Sequence, residues 1–417
     1  MLLRFLFIIF LFAFSTPVVK AVPVSEAVAG RVVLNDTRPV NGEVKFNHVC
    51  FDTPFLVEPL IFSMPTTELN NHRMALRIKN VTKEGFDIAQ VESQENANNK
   101  ADGNQAETID FLAIVPGDYT LNGGAKMVVS SKETKLIQGR NFSTVGTIGW
   151  ETISIGPFST TPAIIASIQT MINEPDDDGP NSPFPKSEPF LTTTIKDVTN
   201  TEFKIALEIA ETETGEVIAK EKIGYIAITP GQEGSLTSDI TYQSFRTLSN
   251  IRGINFCRNV FFESSYSSVP LVIASQNTRN GVDGGWLKQC LRPTGSRVKF
   301  SIVEDGDKDM DLIHVSELAG GLALGGTFKD FTNNCPIIDH YQIEHNGNGL
   351  TCSPETITIK ACTNSVCSPL SSEAVSLDFQ SDGITKEALT FTGSTTISLS
   401  QTTADILTLG IINETIP

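Results

Sequence analysis

The feature that most constrains this chain is one series of segments that occurs three times. The middle copy opens at Phe158-Ser-Thr-Thr-Pro162, continues through Ala163-Ile-Ile-Ala166, Ile195-Lys-Asp-Val-Thr199 and Phe203-Lys-Ile205, and closes on Ile223-Gly-Tyr-Ile-Ala-Ile228 before Pro230-Gly231. The first copy reads Pro59-Leu-Ile-Phe-Ser63 (four residues after Phe55), Ile78-Lys-Asn-Val-Thr82, Gly85-Phe-Asp-Ile88 and Ile109-Asp-Phe-Leu-Ala-Ile114, then Pro116-Gly117. The third reads Pro270-Leu-Val-Ile-Ala274 (four residues after Tyr266), Val298-Lys-Phe300 and Gly321-Leu-Ala-Leu324. Pro59, Pro162 and Pro270 therefore set a period of roughly a hundred residues, which is a whole small domain and too long for a solenoid unit.

Each copy is made of short apolar runs broken by Gly, Pro, Asn and Asp. In the first, Arg31–Leu34, Glu43–Phe46, Leu60–Ser63, Met74–Ile78, Phe86–Val91 and Ile109–Val115 read as strands. Six short strands with turn signals between them predict an antiparallel sandwich. Asn80-Val-Thr-Lys-Glu-Gly85 reads as a turn, because Asn and Gly tolerate positive φ. Glu92 to Glu107 reads as a polar loop or short helix, and the Pro- and Asp-rich stretch from Asn173 to Pro189 as an excursion at the sandwich edge. The third copy lacks the Val-Thr turn and carries Asp283-Gly-Gly-Trp286 instead. After Asn334 the texture changes to a new set of alternating segments. The chain is thus expected to be all-β: three tandem antiparallel β-sandwiches over 22–124, 125–233 and 234–330, each able to fold alone, followed by an immunoglobulin-like sandwich over 331–417.

Residues 1–21 have the shape of a secretory signal, with Arg4 ahead of the apolar run Phe5 to Phe14 and Val19-Lys20-Ala21 at the cleavage position. No later apolar run is long enough to span a membrane, so no transmembrane anchor is expected. A net charge of −17 argues against nucleic acid or an anionic membrane as partner. Seven cysteines suit an oxidising compartment. Cys362 with Cys367 reads as a hairpin clip, Cys335 with Cys352 as a staple leading into the last domain, and Cys257 with Cys290 as a bridge within the third copy. That leaves Cys50 as the odd thiol.

Catalytic signatures are absent, with no Gly-x-Ser-x-Gly elbow, His-Glu-x-x-His helix or phosphate loop, so no enzyme is expected and no cofactor is called for. His340 and His345 fall on opposite faces of a strand and cannot share a metal. Asp305, Asp307, Asp309 and Asp311 alternate as an oxygen-rich Ca²⁺ loop would, but Ser316 stands at the twelfth position where an EF-hand has its Glu. Phe111 and Tyr225 alternate with Ile109 and Ile223 and belong in the core. Trp286, beside Asp283 and two glycines, is the candidate for a sugar-stacking platform, with a plug at the sandwich end as the competing reading.

At Ile78-Lys-Asn-Val-Thr-Lys-Glu-Gly-Phe86 and Ile109-Asp-Phe-Leu-Ala113 the first copy resembles the H-type lectin domain. The second copy matches through Asp197-Val-Thr199 and Phe203, and the third only distantly. The resemblance implies a six-stranded sandwich that assembles into oligomers and binds sugars, although the family's closing Trp is Phe111 or Tyr225 here and its sugar-binding set has no residue-by-residue match. The last segment, Asp339-His-Tyr-Gln-Ile-Glu-His-Asn-Gly-Asn-Gly-Leu-Thr-Cys352 with Pro354 to Cys362 and Cys367, is similar to the characteristic domain of the MshQ-like biogenesis proteins of mannose-sensitive haemagglutinin pili in Gram-negative bacteria. That resemblance implies a secreted or cell-surface protein, with a final domain that is short or incomplete at Pro417. The expected function is surface adhesion or pilus-associated assembly through cell-surface glycans or pilus and surface proteins. The alternative is a structural stalk or assembly factor without a ligand.

Overall fold

The computed structural model describes residues 26–34, 46–66, 74–92, 106–140, 145–174, 189–211, 215–253, 257–304, 314–331, 338, 340–347, 353–362, 367, 370–371, 374–400, 402 and 405–415. Among them every regular element is a β-strand, as the alternating texture predicts. The chain forms two compact units, one of Met1–Asn47 with Phe55–Phe331 and one of Thr332–Pro417 with His48–Pro54.

In the first unit each copy builds a sheet in the same order: an opening strand, a closing strand and the strand that follows the marker proline. These are Ala27–Val33, Thr108–Ile114 and Leu60–Ser63 in copy one, Lys126–Thr134, Glu221–Ile228 and Ala163–Ile168 in copy two, and Thr241–Arg246, Ala319–Gly325 and Leu271–Gln276 in copy three. The closing strand lies in the middle and pairs antiparallel with both neighbours. Lys329–Phe331, the end of the unit, returns to pair in parallel with the opening strand of copy one. Hairpins cover these sheets: Met74–Lys79 with Gly85–Glu92, Thr192–Lys196 with Glu202–Glu208, and Trp286–Thr294 with Arg297–Val303.

The hairpin turns explain the Val-Thr signature. Asn80 and Asp197 take φ of 50° and 52°, where short polar side chains are tolerated. Thr82 Oγ1 then accepts the backbone N–H of Glu84 and Gly85, and Thr199 Oγ1 that of Thr201 and Glu202. Copy three keeps this device after all, since Thr294 Oγ1 accepts from Ser296 N–H in the matching turn. Its residue pattern hid the turn because only the threonine persists.

Core filling also diverges while the space stays constant. The closing strand supplies Phe111 in copy one, packed edge-on to Phe86 at 5.2 Å, and Tyr225 in copy two, edge-on to Phe203 at 5.3 Å. Both are internal, at 0% and 6% exposure. In copy three the register partners exchange roles: Gly30 faces Phe111 in copy one, but Phe245 faces Gly321 in copy three. Phe245 stacks on Phe300 from the opening strand, and a Cβ on Gly321 would lie 2.5 Å from its ring. The aromatic has changed strands, which is why the third copy looks distant in sequence.

The second unit has two three-stranded antiparallel sheets. One consists of His340–Glu344, Glu355–Cys362 and Ser394–Leu399, the other of Ile384–Thr392, Ala374–Ser381 and Leu409–Thr415. Ile357, Ile359, Val375, Leu377 and Phe379 from both sheets fill one core. Alternation of buried and exposed positions along Ala374–Ser381 makes this sandwich legible as such.

Candidate functional site

The three copies are joined by seams along their proline-led strands. Gln169 spans the first seam: its Oε1 accepts Ile61 N–H and its Nε2 donates to Ile61 O, both at 2.7 Å. Asn277 repeats this at the second, accepting from Ile164 N–H at 2.8 Å and donating to Ile164 O at 2.6 Å. The third seam returns from copy three to copy one, where Asp110 accepts Val272 N–H at 3.0 Å. Ile61, Ile164 and Val272 each stand two residues after the marker proline. The copies therefore close on one another, and they share one compact unit where the sequence suggested three self-sufficient sandwiches. Where the proline-led strands converge, a cavity of about 80 Å³ is lined by Ser63, Ser167, Ser275 and Gln276 among others.

The loop singled out from sequence belongs to these seams. Trp286 is 5% exposed, packs in one cluster with Ala75, Val91, Phe190, Ala210 and Val303, and donates Nε1–H to the carbonyl of Met74 at 2.8 Å. Its ring lies 5.1 Å from Phe190 of copy two. An indole buried on all sides cannot stack on a pyranose, so the platform reading is corrected to a plug. Asp283 pairs with Arg140 of copy two at 2.7 Å. Gly284 is required at φ +80°, since a Cβ there would lie 2.7 Å from the Glu208 carboxylate. That carboxylate is in turn held by Arg279 at 2.6 Å. The glycines let the loop approach copy two rather than present a ligand.

Asp305, Asp307, Asp309 and Asp311 lie outside the described residues, as do Cys335 and Cys352. Cys257 and Cys290 are bridged, with Cα atoms 6.1 Å apart, and so are Cys362 and Cys367 at 4.5 Å. Cys50 is itself disulfide-bonded and is not the odd thiol. Elimination by count misplaced it because pairing follows spatial proximity, which spacing does not encode. His340 sits with its ring nitrogen and the sulfurs of Cys362 and Cys367 within 4.8 Å of one another. Those two sulfurs are bonded to each other and do not act as thiolate ligands in this state.

Sequence reading missed a residue that recurs at one spacing. Glu107, Glu221 and Glu317 each stand six residues before the closing-strand alanine (Ala113, Ala227, Ala323), and all are buried. Glu221 accepts from the backbone N–H of Ile172 and Asn173, both at 2.8 Å, and from the Thr170 hydroxyl. Glu317 does the same for Asn280, Gly281 and Thr278. Glu221 and Glu317 each clamp the loop after the proline-led strand. In copy three His314 joins this clamp, contacting Glu304 and, at 3.2 Å, Glu317. Burial would lower its pKa, but the hydrogen bonds and charges of the two glutamates prevail and raise it to about 9.

A solvent-open groove lies beside the seam between copies two and three. Thr160, Thr161, Pro230 and Gly231 line it together with the segments from Gln243 to Leu248 and from Val260 to Glu263, around about 540 Å³. Phe261 is 66% and Leu248 79% exposed there. Gln243 is committed to Ser264, donating to its carbonyl at 2.6 Å and accepting from its N–H at 3.1 Å. Arg246, the last residue of its strand, has a buried Nε with no hydrogen-bond partner among the described residues. Phe261 and Arg246 thus line the same groove. Neither Phe261 nor Arg246 was selected from sequence. The signal was there in Arg246, at the strand position that Arg31 holds in copy one.

Residues 338–417 match a family described as a domain of unknown function, DUF8613. No curated protein and no solved structure matches the chain.

Proposed function

We propose that this is an exported surface protein of adhesion or pilus-associated assembly, and that its three-copy unit recognises glycans in the groove at Phe261. The observation that carries the reading is this exposed ring in the same groove as Arg246, whose buried Nε has no hydrogen-bond partner among the described residues. A flat aromatic face suits the apolar face of a sugar ring, and a polar rim supplies orientation. The signal-like segment over 1–21 and the disulfides support passage into an oxidising compartment. The likeness of the final domain to MshQ-like proteins supports the pilus side of the proposal. A glycan array probed with the full chain is the test. Binding that disappears in Phe261→Ala, with the melting temperature unchanged, is the expected result. An array with no bound glycan returns the protein to the structural-stalk reading.

A further inference from the structure

We propose that the groove takes a sugar that bears a carboxylate, and that Arg246 is the residue that holds it. This rests on reading the groove as a glycan site. The molecule contains its own precedent for what an arginine at this position binds. Strand register sets Arg31 opposite Asp110 in copy one and Arg246 opposite Gly320 in copy three. Asp110 and Gly320 each stand three residues before the closing-strand alanine (Ala113, Ala323), so the two arginines occupy the same place in their sandwiches.

Arg31 has three partners. Its Nε is 3.3 Å from the Asp110 carboxylate, its Nη2 donates to Val269 O at 3.2 Å, and its guanidinium lies over the Phe328 ring. In copy three the aspartate has become Gly320. The residue that corresponds to Val269, one before the marker proline, is Thr161, which lines the groove and which Arg246 does not bond. Nor can the chain restore the carboxylate at position 320. A Cβ there would lie 2.4 Å from Asn277 Oδ1, because Asn277 occupies that space to tie the seam. Asn277 is neutral, with Oδ1 and Nδ2 both spent on Ile164, so it leaves the charge of Arg246 uncompensated. Partial burial works against the charged form of Arg246 and no neighbouring acid offsets it.

A guanidinium recognises a carboxylate by paired, charge-assisted hydrogen bonds. A ligand carboxylate seated on Arg246 would supply from outside what Asp110 supplies within copy one. The apolar face of the same sugar would lie toward Phe261, which lines the same groove.

The test uses the full chain on an array of neutral, carboxylated and sulfated glycans, with calorimetric titration of glucuronic acid against glucose. Carboxylated glycans are expected to dominate. Arg246→Gln is expected to weaken glucuronic acid by about tenfold or more while leaving glucose nearly unchanged. Because Arg246 is half-buried, Thr161→Glu serves as a second variant. It places a carboxylate of the chain's own in the groove and is expected to block acidic sugars with Arg246 intact. Equal affinity for glucuronic acid and glucose overturns the carboxylate assignment while leaving glycan recognition standing. A preference for sulfated glycans, or for acidic peptides lacking sugar, overturns it as well. Absence of any bound glycan removes both readings.

Discussion

The seam between copies two and three and the seam that returns from copy three to copy one do the same work with different chemistry. Each must satisfy the backbone of the residue two after the marker proline. Asn277 meets both the N–H and the C=O of Ile164, whereas Asp110, an acceptor only, meets the N–H of Val272 alone. The side chains also come from different places, Asn277 from the end of its proline-led strand and Asp110 from the closing strand. Where the amide is used, the closing strand carries glycine (Gly224, Gly320) to admit it; where the aspartate is used, the position of the amide is Thr66. The lesson is that the duplicated architecture fixes a contact and leaves open which residue makes it. The difference has an electrostatic consequence as well. Asp110 brings a charge that Arg31 answers, and the seam without it leaves the buried Nε of Arg246 without a hydrogen-bond partner among the described residues.

The comparison is broken most severely by removing the plug that closes the ring. Trp286→Ala should cost about 3–5 kcal/mol, read by chemical denaturation, because it deletes a large buried side chain and leaves the Met74 carbonyl unsatisfied. A loss below about 1 kcal/mol would mean that the indole is surface-borne after all. Asn277→Ala should follow at about 3 kcal/mol, since it strands a buried donor and a buried acceptor on Ile164 at once.

His314 should show as a pH effect. Its folded pKa of about 9 lies above the ordinary 6.5, so its stabilisation is complete below pH 6.5 and is lost as pH rises through about 9. His314→Gln should flatten that alkaline decline and cost about 2 kcal/mol at pH 6. A parallel decline in both proteins would place the titration elsewhere.

The smallest expected effect has the opposite sign and sharpens the comparison directly. Burial, the largest influence on Asp110, raises its pKa to about 6 from 3.8 against the hydrogen bond from Val272 and the charges of Arg31 and Arg292. Its contribution to stability is therefore fully present below pH 3.8 and is lost as pH rises through 6. Asp110→Asn copies the amide seams and should stabilise the unit by about 1 kcal/mol at pH 7.5, a gain that vanishes toward pH 4. A destabilised Asp110→Asn protein at pH 7.5 would show that the Arg31 pair outweighs the burial of the charge.

The all-β texture, the three-fold repetition and the final sandwich were legible in the chain alone, because alternation and turn chemistry act over a few residues. The bridges of Cys257 with Cys290 and Cys362 with Cys367 were expected and are found. The strand expected over Glu43–Phe46, by contrast, falls at 43–45 outside the described residues, and the observed strand is Asn47–Cys50. The sequence also placed Phe111 and Tyr225 inside, since their strands alternate with buried isoleucines. Only the tertiary structure decided that Trp286 is a plug, that Cys50 is bridged, and that Glu107, Glu221 and Glu317 form one set. It alone revealed that Asp110 stands in for Asn277 and that Phe245 stands in for Phe111. Those substitutions move a side chain from one strand to its neighbour while filling the same space. Positions far apart in the chain are then equivalent only in three dimensions, where packing and hydrogen bonding are satisfied by volume and reach and not by order along the backbone.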